Sequence, residues 1–131
     1  MLAALRNTQR IKDEAKRLGF DDCGVAKAEK LTDEAVRFRS WLDRGYHGEM
    51  GYMENYFDKR MDPTKLVEGT KSIISVILNY YPEQHQQDSD APVLSKYAYG
   101  EDYHFVVKRK LKELKKFIDN EIQVTSGRAF V

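Results

Sequence analysis

Two stretches of the sequence hold side chains suited to binding a ligand or exchanging a proton. In the first, Tyr97, Tyr99, Tyr103 and His104 lie close together. Aromatic clusters usually pack in a core, but they can also form the wall of a site for a large flat ligand. His104 stands where a helix is predicted to begin, and the helix dipole there favours a neutral ring that donates one hydrogen bond. Most histidines so placed are core residues, and a functional role is the less common alternative.

The second stretch places Arg60 beside Tyr56, Phe57 and Met61. By itself, Arg60 is an ordinary surface arginine. Within a cleft, its planar guanidinium could bind a carboxylate, an amide or a phosphate. Both stretches are therefore candidates for ligand binding as well as for simple packing.

Two further features could indicate contact with nucleic acid. The loop from Gly48 to Gly51 resembles the GxxG loop of KH domains, but Glu49 within it would repel a phosphate. The last predicted helix carries six basic residues: Lys108, Arg109, Lys110, Lys112, Lys115 and Lys116. They could follow a phosphate backbone. A solvated helix face is the favoured interpretation, because such faces are common.

The composition excludes several classes of site. The net charge of the 131 residues is +1, which argues neither for nor against a nucleic-acid partner. The single cysteine, Cys23, cannot form an intramolecular disulfide, which fits a reducing cytosol. One cysteine also cannot hold a four-cysteine iron–sulfur cluster or a structural zinc ion. The sequence contains no GxGxxG, phosphate-binding loop, HExxH or serine nucleophile elbow.

A membrane or secretory location is not indicated. The longest apolar run, residues 73–78, is interrupted by Ser75 and is far shorter than the ~20 residues that a membrane helix needs. The first ten residues do not have the pattern of a secretory signal. We therefore expect a cytoplasmic protein without a membrane partner.

Apolar residues at helical spacing predict three long helices. The first covers residues 8–18 and ends at Gly19, which suits a left-handed cap. The second begins after Thr32 as N-cap and ends at Gly45. The third begins after Asp102 as N-cap. Its predicted buried stripe consists of His104, Val107, Leu111, Leu114 and Ile118.

Runs of β-branched and aliphatic residues predict strands at 20–28 and 72–81. The second of these is expected to be a central strand that is covered on both faces. A further strand is expected at 93–99, and another begins at 128–131. The expected architecture is α+β, with a small mixed β-sheet packed against helices in a single domain of residues 1–131.

Three longer segments, taken together, are more specific than these patterns. They are GYHGEMGYM with KRMDP at 45–63, LVEGTKSIISVILNYY at 66–81, and SKYAYGEDYH at 95–104. In this order and at these spacings, they resemble the N-terminal region of epoxyqueuosine reductases. The terminal GRAFV resembles the strand that leads to the catalytic residue of that family. The resemblance covers nearly the whole chain.

The resemblance implies a specific chemistry. Members of this family reduce the epoxide of epoxyqueuosine in the anticodon loop of certain tRNAs, which gives queuosine. They use a base-off cobalamin and two 4Fe–4S clusters that supply it with electrons. The cofactor performs the redox step, while the protein orients, shields and protonates the reacting groups. The expected partner is therefore tRNA, bound by the full-length enzyme.

The resemblance also implies roles for particular residues. Arg60 matches the arginine of the KR motif, which is expected at the cofactor, and Ser95 matches a position at the cofactor face. Tyr97, Tyr103 and His104 match the YAxGxDYH block that lines the same region. The adjacent aspartate of that block is expected to be a helix cap and not a proton donor.

The sequence departs from the family at its end. In the family, a proton-donating aspartate follows directly after a segment like RAFV, whereas this sequence stops at Val131. The cysteine runs that bind the clusters are missing as well. We therefore expect an incomplete N-terminal domain that is inactive by itself and that self-associates through the face left exposed. The alternative is a stand-alone RNA-binding or protein-interaction module that has kept the fold without the chemistry.

Overall fold

The structure is a computed structural model that describes residues 2–83 and 85–131. Its elements are the helices α1 (Leu2–Arg17), α2 (Thr32–Asp43), α3 (Phe57–Met61) and α4 (Tyr103–Glu121), and the strands β1 (Asp22–Lys27) and β2 (Ser72–Ile77). Short 3₁₀ turns occupy Gly51–Met53, Pro63–Lys65 and Lys96–Ala98. The two strands form one antiparallel pair. The predicted α+β class is confirmed, and within the described ranges the sheet consists of this pair.

The chain divides into two units, each with its own packing. The first contains the residues up to Gly24 and from Ile74 onward, and the second contains Val25–Ile73. In the first unit, α1 packs against α4. The fully or nearly buried apolar residues of this unit are Ile11, Ala15, Phe20, Cys23 and Leu114. Leu114 is buried, as predicted for the middle of the apolar stripe on α4.

The end of α1 follows the predicted pattern. Gly19 has φ +81°, a left-handed conformation that glycine adopts without steric cost. The N–H of Gly19 donates to Lys16 O at 2.9 Å, and the N–H of Phe20 donates to Ala15 O at 3.1 Å. These two bonds form a Schellman cap, in which Phe20 and Ala15 also bury their side chains. The helix begins at Leu2, earlier than predicted, because the added residues LAALRN are mostly good helix formers.

In the second unit, α2 carries an aromatic stripe. Phe38 stacks on Trp41 with ring centroids 5.8 Å apart and on Phe57 of α3 at 5.6 Å. The prediction of Thr32 as N-cap is wrong, since Thr32 is the first helical residue and Leu31 holds the cap position without a side-chain bond. The predicted C-terminal glycine is confirmed, with φ +65° at Gly45.

The sheet is smaller and more exposed than the sequence predicted. The residues of β2 are alternately exposed and half-buried, so this strand is not covered on both faces. Residues 93–99 form a 3₁₀ turn at Lys96–Ala98 and no strand, and residues 128–131 have no regular structure. Neither segment finds a neighbouring strand, and an extended segment without one has no partner for its backbone groups. In the described parts of the chain, no helix is both long and apolar enough to cross a membrane.

Candidate functional site

A chain of touching aromatic rings lies in the first unit. The ring of Tyr80 meets Tyr97 edge-on at 6.4 Å, and Tyr97 meets Tyr103 edge-on at 6.3 Å. Tyr103 in turn stacks on His104 at 4.0 Å. We call these four residues the tyrosine cluster. Its rings are not a core, because Tyr80 is 63% exposed, Tyr97 is 53% exposed and Tyr103 is 39% exposed.

The start of α4 fixes one end of the tyrosine cluster. Asp102 is the N-cap, and its Oδ1 accepts from the backbone N–H of His104 at 2.8 Å. The same oxygen lies 2.8 Å from Nδ1 of His104. A carboxylate can only accept, so Nδ1 carries the hydrogen and Nε2 is left facing outward as an acceptor when the ring is neutral. The cap predicted from the sequence is confirmed.

These bonds determine the charge of Asp102. The pKa of this carboxyl is held below its usual value of 3.8. The hydrogen bond from the backbone N–H of His104 is the larger cause, and the bond with the His104 ring is the second. Asp102 therefore stays ionised at neutral pH and is a poor proton donor. The placement of His104 on the buried stripe is wrong, because its side chain is 56% exposed and turns toward the cap instead of the core.

Ser95 lies directly before the 3₁₀ turn that carries Tyr97. Its carbonyl oxygen accepts from the N–H of Ala98 at 2.9 Å, while its hydroxyl makes no capping bond, so the exposed side chain can turn to a ligand. A shallow depression of about 340 Å³ lies in the same part of the chain. It is lined almost entirely by apolar atoms of Gln86, Ala91, Pro92, Leu94 and Tyr99.

Arg60 belongs to the second unit and has a different environment. Its Nε donates to Asn55 O at 3.0 Å, and its Nη2 donates to Tyr52 O at 3.2 Å. The side chain thus ties together the loop before α3. Two of its five N–H groups make these bonds, which leaves donors for a ligand on the exposed side.

Three of the five predicted site residues are therefore in contact with one another. Tyr97, Tyr103 and His104 belong to the tyrosine cluster, Ser95 flanks it along the chain, and Arg60 belongs to the other unit. Tyr80 was not predicted from the sequence, although its position just after a strand and before a polar loop was a usable signal.

His47, in the second unit, was not predicted from the sequence either. Its Nε2 lies 2.9 Å from Glu54 Oε1, and its ring packs against Trp41 with centroids 5.7 Å apart. The buried Nδ1 has no hydrogen-bond partner among the described residues. His47 therefore links Glu54, in the segment before α3, to α2.

The basic face of α4 is partly neutralised. Arg109 makes a two-pronged ion pair with Glu101, at 3.0 and 3.1 Å. Lys115 pairs with Asp119, and Lys110 donates to Gly19 O at 3.1 Å. The other three of the six basic residues, Lys108, Lys112 and Lys116, are exposed. Half of the predicted basic stripe is thus engaged within the fold, which favours its interpretation as an ordinary helix face.

Metal ligands are not grouped in this part of the protein. Across residues 2–83 and 85–131, no three His, Cys, Asp or Glu side chains are placed to hold an ion. Cys23 is buried, and burial is the main cause that raises the pKa of its thiol. A protonated, buried thiol is a weak nucleophile and a weak metal ligand.

Comparison with known proteins gives a consistent result. Residues 60–131 match the family model described as epoxyqueuosine reductase QueG, DUF1730. An epoxyqueuosine reductase of Cyclobacterium marinum is 54% identical over 127 residues, and one of Cellulophaga algicola is 55% identical over 126. Both alignments cover 96% of this chain and 41% of the relative, so the chain spans about two-fifths of the length of these curated relatives.

The fold matches solved structures of the same kind. A crystal structure described as epoxyqueuosine reductase with an epoxyqueuosine-modified tRNA-Tyr stem loop superposes with a TM-score of 0.72 at 25% identity. The superposition covers 89% of this chain and 32% of the other.

Proposed function

This chain belongs to the epoxyqueuosine reductase family, and we propose that its tyrosine cluster forms part of the cobalamin-binding surface of such an enzyme. The proposed residues are Tyr97, Tyr103 and His104 of the cluster, with Ser95 beside it along the chain. Arg60 belongs to the other unit, and its role at the cofactor is proposed separately, from its match to the KR motif of the family. The whole enzyme would reduce epoxyqueuosine to queuosine in tRNA, in the cytoplasm.

The exposed rings of the cluster carry this proposal. A corrin ring is large and flat, with apolar faces and amide groups at its edge. Tyrosine faces that are about half exposed suit such a ligand, because they bury apolar area on binding while their hydroxyls stay wet. The apolar depression of about 340 Å³ in the same part of the chain could take only an edge of so large a molecule. The residues present therefore fit one side of a corrinoid.

Each residue has a defined task in this arrangement. Tyr97 and Tyr103 orient the macrocycle and keep water from its face. Asp102 fixes the ring of His104, whose Nε2 is free to accept a hydrogen bond from a peripheral amide. Arg60 offers its remaining N–H groups to a carbonyl or phosphate oxygen. When bound, cobalamin supplies the low-valent cobalt that performs the redox step.

We also propose that this polypeptide does not complete the reduction by itself. Opening an epoxide requires a proton for the departing oxygen. Asp102, which touches His104 of the tyrosine cluster, has a lowered pKa and is therefore a poor proton donor. The 4Fe–4S clusters expected in the family need cysteines, and Cys23 is the only cysteine of the sequence. A single-turnover assay with added cobalamin and a chemical reductant tests this, and robust conversion of epoxyqueuosine would refute it.

The proposed cofactor surface is tested by titrating the chain with cob(II)alamin and following visible absorbance. We expect saturable binding that is weakened about tenfold by Tyr103→Ala and little changed by Tyr103→Phe, since the ring provides the contact. Tyr81→Ala is the matched control, because Tyr81 is 60% exposed but outside the tyrosine cluster. Absence of binding, or equal losses in Tyr103→Ala and Tyr81→Ala, would contradict the proposal.

A further inference from the structure

A second group of exposed tyrosines lies in the second unit, on the loop before α3. Tyr52 is 60% exposed and Tyr56 is 73% exposed. We call residues 52–60, which are the end of this loop and the first four residues of α3, the Tyr56 loop. Large aromatic side chains that stand in water without covering a core commonly mark a contact surface. Neither ring belongs to the proposed cofactor-binding surface.

The backbone of this loop is strained where it displays Tyr56. Tyr56 has φ 57° and ψ 34°, and among the described residues it is the one non-glycine with a positive φ. Glycine or asparagine adopts this left-handed conformation far more readily than tyrosine does. A bulky residue kept in such a conformation commonly marks a functional position. The sequence therefore retains an aromatic ring where a smaller residue would fold better.

Side-chain bonds hold the strained loop in place. Arg60 reaches back to the carbonyls of Tyr52 and Asn55, at 3.2 and 3.0 Å. Glu54, inside the loop, is tied to the half-buried His47 at 2.9 Å. The loop is thus fixed from two sides, which lowers the entropic cost of binding a ligand on its tyrosines.

Positive charge accompanies the exposed rings. Lys59 Nζ lies 5.4 Å from the centre of the Tyr56 ring, and Arg44 Cζ lies 5.9 Å from the centre of the Tyr46 ring, which is 63% exposed. An aromatic face next to a cation suits an unpaired nucleotide, because the base stacks on the ring while its phosphate meets the charge. A protein partner would not require the cation beside Tyr56.

We propose that the Tyr56 loop binds unpaired bases of RNA, with Tyr52 and Tyr56 as stacking surfaces and Lys59 as the phosphate contact. This inference rests on the proposed function, in which the partner is a tRNA anticodon loop. It adds which residues of this chain hold that loop. Arg60 acts on RNA binding as a positioning residue, through the two carbonyls that it ties.

The test is fluorescence anisotropy of a labelled RNA stem-loop titrated with the full chain. Tyr56→Asn should weaken binding about tenfold, because stacking on one ring is lost. The same variant should unfold at an unchanged or higher temperature, because asparagine tolerates the left-handed backbone. Tyr56→Phe should bind as the wild type does, and so should Phe105→Ala, which removes a ring of the first unit that is 65% exposed.

The outcomes separate the two proposals. The stacking role of the loop would be overturned if Tyr56→Asn bound the RNA as tightly as the wild type does. It would also be overturned if the wild type bound a fully paired duplex with equal affinity. No RNA affinity in the wild type would also overturn it and would leave a protein contact as the use of this surface. Tyr56-dependent RNA binding by a chain that does not take up cob(II)alamin would sustain this inference and remove only the cofactor assignment.

Discussion

Asp102 shows how one residue can order a local structure. Its carboxylate accepts from the backbone N–H of His104 in the first turn of α4 and also fixes the ring of His104. Both bonds are stronger with the ionised form, which is why its pKa is lowered. A group with a lowered pKa stabilises the fold above its unfolded pKa, here 3.8, and this contribution is lost as the pH falls through the lower folded value.

We predict a pH-dependent difference between the wild type and Asp102→Asn. Asparagine is also a good N-cap, but it cannot ionise. The wild type should therefore be the more stable protein at pH 7, and its advantage should shrink once the pH falls below 3.8. Urea unfolding of both proteins across this range measures the difference. A constant difference at all pH values would show that the charge of Asp102 does not contribute.

The environment of a residue could be predicted from the sequence only where its interactions are local. The cap at Asp102 was predictable because it involves residues within two positions along the chain. The exposure of His104 was not, since helical spacing places a residue on a face but does not reveal that a neighbouring carboxylate holds its ring. Tyr80 was missed because its contact with Tyr97 joins residues far apart in the sequence.

At the level of elements, the ends of α1 and α2 offer a matched comparison. Gly19 and Gly45 both end a helix with a positive φ. A Cβ at Gly19 would lie 2.8 Å from Lys110 Nζ, whereas one at Gly45 would meet nothing within 4 Å. The Lys110 ammonium donates to Gly19 O, so a side chain at Gly19 would also disturb the contact between α1 and α4.

We predict that Gly19→Ala destabilises the protein more than Gly45→Ala. The left-handed backbone alone should cost about 1–2 kcal/mol in each variant. Gly19→Ala should lose the Lys110 bond in addition, worth about 1 kcal/mol. Thermal or urea unfolding measures both variants. In a Lys110→Met background the two substitutions should cost the same, and a persisting difference would mean that Lys110 is not the cause.

Helices were predicted better than strands for a physical reason. A helix satisfies its backbone groups within its own segment, so apolar spacing and a terminal glycine such as Gly19 define it locally. A strand needs a neighbouring strand, which the local sequence does not identify. Residues 93–99 have strand-like composition, yet they form a turn whose tyrosines pack on each other instead of on a sheet.

For the whole molecule, the exposed apolar side chains predict self-association. Phe105 is 65% exposed, Val93 is 93% exposed and Leu94 is 60% exposed. Phe105→Glu offers a variant that does not weaken the helix, because it places an acidic residue in the first turn of α4, at N3 after the Asp102 cap. Sedimentation velocity should show concentration-dependent association in the wild type and less in Phe105→Glu. Identical behaviour of the two would contradict the prediction.

Contact between the tyrosine cluster and the corrinoid is tested most directly by nuclear magnetic resonance of the labelled chain with cob(II)alamin. The unpaired electron of this form broadens signals of nearby nuclei, and a diamagnetic cob(III)alamin sample serves as the reference. We expect the amide signals of residues 95–104 to be broadened, and those of the α1–α4 core, such as Ala15 and Leu114, to be kept. Broadening centred elsewhere, or none at saturating cofactor, would contradict it.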